Sequence, residues 1–248
     1  MRTAFVACAL LVAACGIDDP AEVDDTARIA LNGLAAADLL ANEGQIAPLA
    51  SQPFAAAAAA SPMRSTVSGK RVLTYLAACA LPAGQSVKVG TDTYTGTYGL
   101  VPSWATSALT ASQQRWVSAC MLARTNLYGV QVEMSMRGAN PALAPALLEP
   151  VDYLVPEGAF YGNLFSANPV AYACTSFLKT ATNYDSARAC SMSSDGVSTK
   201  CGFTYEHGCA LLDLDLAPAC SGLLPPYGNC RGDGTTYSEV VTVFLKVL

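Results

Sequence analysis

The chain has 248 residues, of which 52% are apolar and 13% are charged, and its formal net charge is −5. This composition supports a sizeable buried core and excludes an intrinsically disordered chain. The acidic balance excludes the basic surface by which proteins bind nucleic acid or anionic lipid head groups. We therefore expect no nucleic-acid partner, and we expect any membrane attachment to be covalent or hydrophobic.

Residues 1–15 have the composition of a bacterial export signal. An apolar run of eleven residues begins at Ala4 and is too short to span a bilayer. The segment Leu11-Val12-Ala13-Ala14-Cys15 resembles the lipobox of bacterial lipoproteins, in which an aliphatic residue and two small residues precede the acylated cysteine. The resemblance implies that residues 1–14 are a signal peptide and that Cys15 is lipidated. An ordinary secretion signal cleaved nearby is the alternative.

Lipidation of Cys15 implies an attachment and a location. A diacylglyceryl thioether and an acylated amino group hold a chain permanently, since each buried methylene contributes about 0.8 kcal/mol. In lipoproteins an aspartate after the cysteine commonly signals retention in the inner membrane, so Gly16 favours the outer membrane, on its periplasmic or its surface face. Residues 15–27, which include five carboxylates, are expected to form an acidic tether. Cleavage leaves 13 basic against 19 acidic residues, a net charge of −6.

The spacing of apolar residues predicts helices in the first third of the chain. A helix is expected from about 27 to 42, within an Ala-rich helical segment that covers 28–62. Its low-complexity end, 53–62, forms either a short helix or a spacer, and the compact domain then covers 63–248. The periodicity of 64–81 predicts a further helix, which Pro82 ends.

The middle of the chain carries a hairpin signal and a capped helix. Val87 and Val89 alternate with polar residues, and a turn at 90–92 leads into a second extended stretch, which together predict a β-hairpin. A capping box of Thr110 and Gln113 starts an amphipathic helix that is expected to end at Gly129.

Two strand patterns complete the predicted fold. Residues 130–136 alternate between apolar and polar side chains, as a half-buried strand does. Near the C-terminus one face of an extended segment carries Val241, Val243, Leu245 and Val247, and the other carries Val240, Thr242 and Phe244. This pattern predicts a strand that is buried on both faces at the centre of the sheet. The expected class is α+β, with amphipathic helices packed on a small, mostly antiparallel sheet and a C-terminal part stapled by disulfides.

The cysteines are the strongest chemical signal in the sequence. Cys8 lies in the leader and Cys15 in the anchor, and eight others remain: Cys79, Cys120, Cys174, Cys190, Cys201, Cys209, Cys220 and Cys230. An even number in an exported chain indicates up to four disulfides, whose connectivity the sequence does not determine. Proximity along the chain favours Cys79 with Cys120, Cys174 with Cys190, and two bonds among the last four. We expect no metal site and no cofactor.

Five segments between about residues 70 and 210 carry a resemblance to known proteins: Cys79–Val87, Gly99–Trp104, Gln114–Cys120, Glu157–Asn163 and Cys201–Tyr205. With these segments, this part of the chain resembles uncharacterised secreted lipoproteins of myxobacterial type. The resemblance implies export and a shared fold. It implies no particular activity.

No complete catalytic constellation is visible in the sequence, but two residues are candidates. His207 is the only histidine, so a Ser-His-Asp or Cys-His mechanism would need it as the general base. Glu157 precedes aromatic, small and amide residues of the kind that line sugar sites, and it could pair with Glu133, Glu149 or Asp152 for glycoside hydrolysis. Packing in a turn is the simpler interpretation of Glu157.

Several short matches carry less weight. Cys120 with Gln114 loosely resembles a papain-type nucleophile, although a disulfide with Cys79 is the simpler interpretation. Ser176-Phe177-Leu178-Lys179 matches the Ser-x-x-Lys motif of penicillin-recognising enzymes without its partner motifs. Arg231-Gly232-Asp233 spells an integrin-binding tripeptide.

The function favoured by these features is a lipid-anchored envelope lipoprotein with a non-catalytic binding or structural role. Its partner would be an unidentified component of the envelope or of the exterior. An envelope hydrolase acting on glycan or peptide is the alternative.

Overall fold

The computed structural model describes residues 29–147, 149–176, 190, 197–210 and 217–246. The predicted signal peptide, the tether with Cys15, and Lys179 lie outside the described residues. The helices are α1 (Ala36–Asn42), α2 (Phe54–Ala60), α3 (Val67–Ala80), α4 (Ala111–Ala123) and α5 (Glu149–Asp152). The strands are β1 (Ile29–Asn32), β2 (Leu34–Ala35), β3 (Ser86–Val89), β4 (Asp92–Thr95), β5 (Thr125–Asn126), β6 (Val132–Arg137), β7 (Val155–Asn163), β8 (Val170–Thr175), β9 (Thr204–Gly208), β10 (Cys230–Gly232), β11 (Thr235–Tyr237) and β12 (Val241–Leu245).

A six-stranded sheet organises the domain. Its strand order is β1-β6-β12-β7-β8-β9, and every neighbouring pair is antiparallel except β8 and β9. The predicted C-terminal strand, β12, lies at the centre, and all five of its side chains are buried because both faces of the sheet are covered. The predicted α+β class with a mostly antiparallel sheet is confirmed.

One face of the sheet packs against the helical layer. Helix α4 crosses β7 and β12, and α3 packs on α4. The capping box is present as predicted, since the backbone N–H of Thr110 donates to the Gln113 side chain at 2.9 Å and the N–H of Gln113 donates to the Thr110 hydroxyl at 3.4 Å. The hairpin of β3 and β4 and the helix over 64–81 also form, the helix as α3.

Two helix boundaries differ from the prediction. Helix α4 ends at Ala123 and not at Gly129, because Thr125–Asn126 pairs with β2 and the Asn126 carboxamide accepts the backbone N–H groups of Tyr128 and Val130. The helix predicted for 27–42 begins only at Ala36. Its first part is β1, which gains a ladder of backbone hydrogen bonds along β6, a long-range pairing that helical periodicity does not reveal.

Of the two interpretations of 53–62, the helix is what forms. Phe54, the first residue of α2, is fully buried, and its ring lies 4.9 Å from that of Trp104 and 5.6 Å from that of Tyr94. Ala57 and Ala58 are buried beside it. This stretch therefore belongs to the same core as α3 and α4, because small alanines allow α2 to approach closely.

The opposite face of the sheet is covered by α5 and by the C-terminal loops. Across β6, the hydroxyl of Ser135 donates to the Glu149 carboxylate, and the guanidinium of Arg137 donates to the carbonyl of Tyr153 at 2.8 Å. Across β7 and β8, a second cluster joins Tyr161 and Tyr172 to the cysteine-rich segments. This second layer fixes the C-terminal part on the sheet.

Four disulfides are present among the described residues. They pair Cys79 with Cys120, Cys174 with Cys209, Cys190 with Cys201 and Cys220 with Cys230. The predicted Cys79–Cys120 bond between α3 and α4 is confirmed, whereas the predicted Cys174–Cys190 bond is wrong. Of the two bonds predicted among the last four cysteines, only Cys220–Cys230 forms. The reason is the sheet: parallel pairing of β8 with β9 brings Cys209 to Cys174 although 35 residues separate them.

Candidate functional site

Strand β7 carries a β-bulge at Glu157. Gly158 lies opposite Val243 of β12 and Pro156 lies opposite Phe244, so β7 has one extra residue, Glu157, between these two pairs. A bulge turns a side chain away from its alternating position. Glu157 is buried, and its carbonyl accepts the backbone N–H of Ser176 at 3.1 Å.

A cavity of about 60 Å³ lies beside Glu157. Its lining combines one carboxylate, threonine hydroxyls, aromatic rings and part of a disulfide: Thr125, Glu157, Gly158, Phe160, Ala173, Cys174, Thr175, Cys190, Thr199, Phe203 and Tyr205. One water needs roughly 10–15 Å³ of such a cavity, whereas ligand sites are typically some 300–1,000 Å³. The space therefore admits a few waters and is too small for a sugar ring.

The carboxylates considered as partners of Glu157 are engaged elsewhere. Glu149 accepts from Ser135 and from the backbone N–H of Ala146 at 3.1 Å, and Glu133 accepts from the hydroxyl of Tyr153. That hydrogen bond from Tyr153 lowers the pKa of Glu133. Neither these residues nor Asp152 lines the cavity. The described part of the molecule thus offers one carboxylate there, and glycoside hydrolysis by the usual mechanism needs two.

His207 also lies at a bulge, but its environment is different. Tyr205 is opposite Ala173 and Gly208 is opposite Thr175, so β9 carries one extra residue in this interval, and His207 has a φ of 57°. Its ring is exposed and lies 5.4 Å from the ring of Tyr205. The neighbouring Glu206 is partly buried, which raises its pKa.

The remaining nucleophile candidates, Cys120 and Ser176, are also bonded to other side chains. Cys120 is bonded to Cys79 and has no free thiol. The hydroxyl of Ser176 lies 2.8 Å from that of Tyr227, and Lys179 of the same motif is outside the described residues. Neither the Cys-His nor the Ser-x-x-Lys arrangement is therefore assembled in the part of the chain that the structure describes.

Two disulfides lie side by side beneath the C-terminal loops. The sulfur of Cys174 is 3.5 Å from that of Cys220, and both residues are buried. Cys174, Cys209 and Cys220 bring their sulfurs within 4.8 Å of one another, a spacing that could hold a metal ion if the thiols were free. All three are in disulfides: Cys174–Cys209 cross-links β8 to the residue after β9, and the adjacent Cys220–Cys230 bond cross-links the loop that carries Cys220 to Cys230.

A rigid hairpin of β10 and β11 stands beside this cross-link. Asp233 and Gly234 form its two-residue turn with φ values of 47° and 71°, as in the type I′ turns that match strand twist. A Cβ atom at Gly232 would lie 2.6 Å from the ring of Tyr172, so this strand approaches the tyrosine closely. The hydroxyl of Tyr161 donates to the carbonyl of Arg231 at 2.7 Å. The Arg231-Gly232-Asp233 tripeptide is consequently held in a fixed strand-and-turn geometry.

An open cleft of about 570 Å³ runs along this hairpin. It is lined by the 217–223 loop and by the hairpin, specifically Ala217, Pro218, Cys220, Ser221, Gly222, Leu223, Asn229, Arg231 and Thr236. Leu223 and its neighbour Leu224 are exposed, and Arg231 and Asn229 add a guanidinium and an amide. Its volume lies in the range of ligand sites, and it combines apolar surface with hydrogen-bond donors.

The tyrosines beneath the hairpin give a prediction about pH. Burial, followed by the proximity of Tyr237, Asp233 and Glu206, raises the pKa of Tyr172 to about 12. Because this pKa exceeds the ordinary value near 10, the protonated phenol stabilises the fold below about pH 10, and that stabilisation is lost as pH rises towards 12. Urea unfolding at a series of pH values should show the decline, and Tyr172→Phe should make it shallower. Identical pH profiles for the two proteins would contradict this assignment.

The sequence alone indicated only part of these features. The residues that follow Glu157 indicate it as a candidate, but they do not indicate how small the cavity beside it is. The cleft was missed, because Leu223 and Arg231 look like ordinary loop residues until the Cys220–Cys230 bond places them on two walls of one depression. The Asp-Gly pair at 233–234, flanked by short extended stretches, was an available hairpin signal.

None of the helices in the described residues combines the length and the apolar character needed to cross a membrane. Comparison of the chain with protein-family models, with curated proteins and with solved structures finds no match.

Proposed function

We propose that the protein is an envelope lipoprotein, held to the outer membrane by acyl chains on Cys15, whose folded domain binds a partner without catalysing a reaction. The partner site would be the cleft between the 217–223 loop and the β10–β11 hairpin. The observation that carries this proposal is an open, ligand-sized depression on the part of the domain that disulfides hold most closely.

Rigidity of the cleft walls supports binding. The Cys220–Cys230 bond joins the loop to the hairpin. The neighbouring Cys174–Cys209 bond joins the residue after β9 to β8 of the sheet. A wall that is already ordered loses little conformational entropy when a ligand binds, so affinity is gained from preorganisation. The exposed Leu223 supplies apolar area, and Arg231 supplies a cation for a carboxylate or another anionic group.

A hydrolase has weaker support from the same structure. Glu157 is a buried carboxylate at a bulge, which is a common setting for catalytic groups. However, its cavity of about 60 Å³ contains no second carboxylate among the described residues, and His207 is exposed and not in its lining. A binding role therefore agrees better with the geometry.

The anchor can be tested independently of the binding site. Metabolic labelling with a palmitate analogue should label the full chain, and Cys15→Ser should abolish the label and release the protein from the membrane fraction. Cys8→Ser is the matched control, because it changes a cysteine of the same leader that lies outside the lipobox. Label retained by Cys15→Ser would refute lipidation at this residue.

The binding site can be tested by photo-crosslinking in the native envelope. A photoreactive amino acid at position 223 should give a discrete adduct with one partner. The same amino acid at Val67, an exposed apolar residue of α3 that does not line the cleft, should give none. Equal adducts at the two positions, or none at position 223, would exclude the cleft as the partner site.

A further inference from the structure

Three exposed apolar side chains form a stripe around α5. Leu147, Val151 and Leu154 are 94%, 66% and 60% exposed; Val151 lies in α5, and the other two lie two residues before its start and two residues after its end. We refer to these three residues as the apolar stripe. Isolated apolar residues are normal on a protein surface, but three on one short segment are a candidate contact surface.

The inner face of the same segment is fixed to the sheet, so the stripe is held outward. Glu149 is buried and accepts hydrogen bonds from Ser135 and from the backbone N–H of Ala146. Tyr153 is buried as well, and its carbonyl accepts from Arg137. The stripe therefore cannot turn inward without breaking buried polar contacts.

The tether joins the domain next to this segment. Ile29, the first residue of β1, lies directly opposite Ser135 of β6, and Ser135 is hydrogen-bonded to Glu149 in α5. The chain between Cys15 and Ile29 contains thirteen residues, which span at most roughly 45 Å when fully extended. A lipid anchor on Cys15 would thus keep the bilayer within reach of the edge of the domain that carries the stripe.

We propose that the apolar stripe contacts the lipid bilayer to which Cys15 is anchored, and so orients the domain on the membrane. This inference rests on the proposed lipidation. Anchoring raises the local concentration of lipid around the domain, so contacts that the unanchored chain makes only at high lipid concentration become occupied. Asp152 on the same helix and the carboxylates of the tether are repelled by anionic head groups, and contact with a zwitterionic surface is therefore stronger.

The test uses the chain that starts at Gly16, which has no acylated cysteine, with phosphatidylcholine vesicles at high lipid concentration. Flotation should show partial vesicle binding, and Leu147→Ser/Val151→Ser/Leu154→Ser should reduce the partition coefficient about tenfold or more, because apolar area is no longer buried in lipid. The matched control is Leu40→Ser/Val67→Ser/Leu224→Ser, which changes three exposed apolar residues elsewhere. Circular dichroism and thermal unfolding establish that both variants are folded.

Retained binding by the control with loss by the stripe variant supports the proposal. It is overturned if the starting protein does not float, if both variants lose binding equally, or if sedimentation shows a dimer that the stripe variant dissociates, since the stripe would then join two copies. Palmitate labelling of Cys15 in the full chain is a separate result. A labelled protein without vesicle contact would refute the stripe alone, and absence of label would refute the anchor.

Discussion

Replacing both Cys79 and Cys120 with alanine is expected to lower the free energy of unfolding by about 4 kcal/mol. The bond joins residues 41 apart, and restriction of the unfolded chain by a loop of this length is worth about that much. Both cysteines are fully buried between α3 and α4, in the main core. Urea unfolding under non-reducing conditions measures the difference.

The matched control is removal of the Cys190–Cys201 bond, which joins residues only 11 apart. The same relation predicts a loss of about 2.8 kcal/mol for this double alanine variant. A larger loss at Cys190–Cys201 than at Cys79–Cys120 would show that restriction of the unfolded chain does not determine how much these disulfides stabilise the protein. Free-thiol counts in the denatured, unreduced protein should be close to zero, apart from an unlipidated Cys15 or the leader cysteine if they are retained.

Glu149→Ala should strongly destabilise the fold, lowering the free energy of unfolding by about 2–3 kcal/mol, because the carboxylate reaches Arg137 through the buried hydroxyl of Ser135. Burial lowers the pKa of Arg137, and the negative charge of Glu149 opposes that effect, which indicates that the carboxylate compensates a buried cation. The ring of Phe244 lies 3.8 Å from the guanidinium carbon and supplies a further cation–π contact. Without Glu149, Arg137 keeps its charge in a buried site, and the hydroxyl of Ser135 loses its acceptor.

Two variants separate this explanation from a general effect on α5. Asp152→Ala removes an exposed carboxylate from the same helix and should cost less than about 0.5 kcal/mol. Arg137→Met/Glu149→Gln removes both charges and should be more stable than Glu149→Ala, because no uncompensated cation remains. If the double variant were less stable than Glu149→Ala, burial of the Arg137 charge could not be the cause.

The sequence by itself determined the features that depend on neighbouring residues. Their signals are local, because each depends on residues a few positions apart: the capping box of Thr110 and Gln113, the periodicity of α3, and the turn that follows Val89. The sequence also indicated the central position of β12, because a strand that is covered on both faces carries mainly apolar side chains on both. From these elements the α+β class followed.

Long-range pairing decided the rest. Ile29–Asn32 is a strand only because β6 offers it an edge, and Cys174 bonds to Cys209 only because β8 lies beside β9. For the candidate site, the sequence could nominate Glu157 from its neighbours. The bulge, the small cavity, and the cleft between loop and hairpin depend on the register of strands remote in sequence. The sequence thus determined local structure and the presence of a disulfide frame, whereas the tertiary structure decided which cysteines pair and which surface is open to a partner, because both are set by contacts between distant segments.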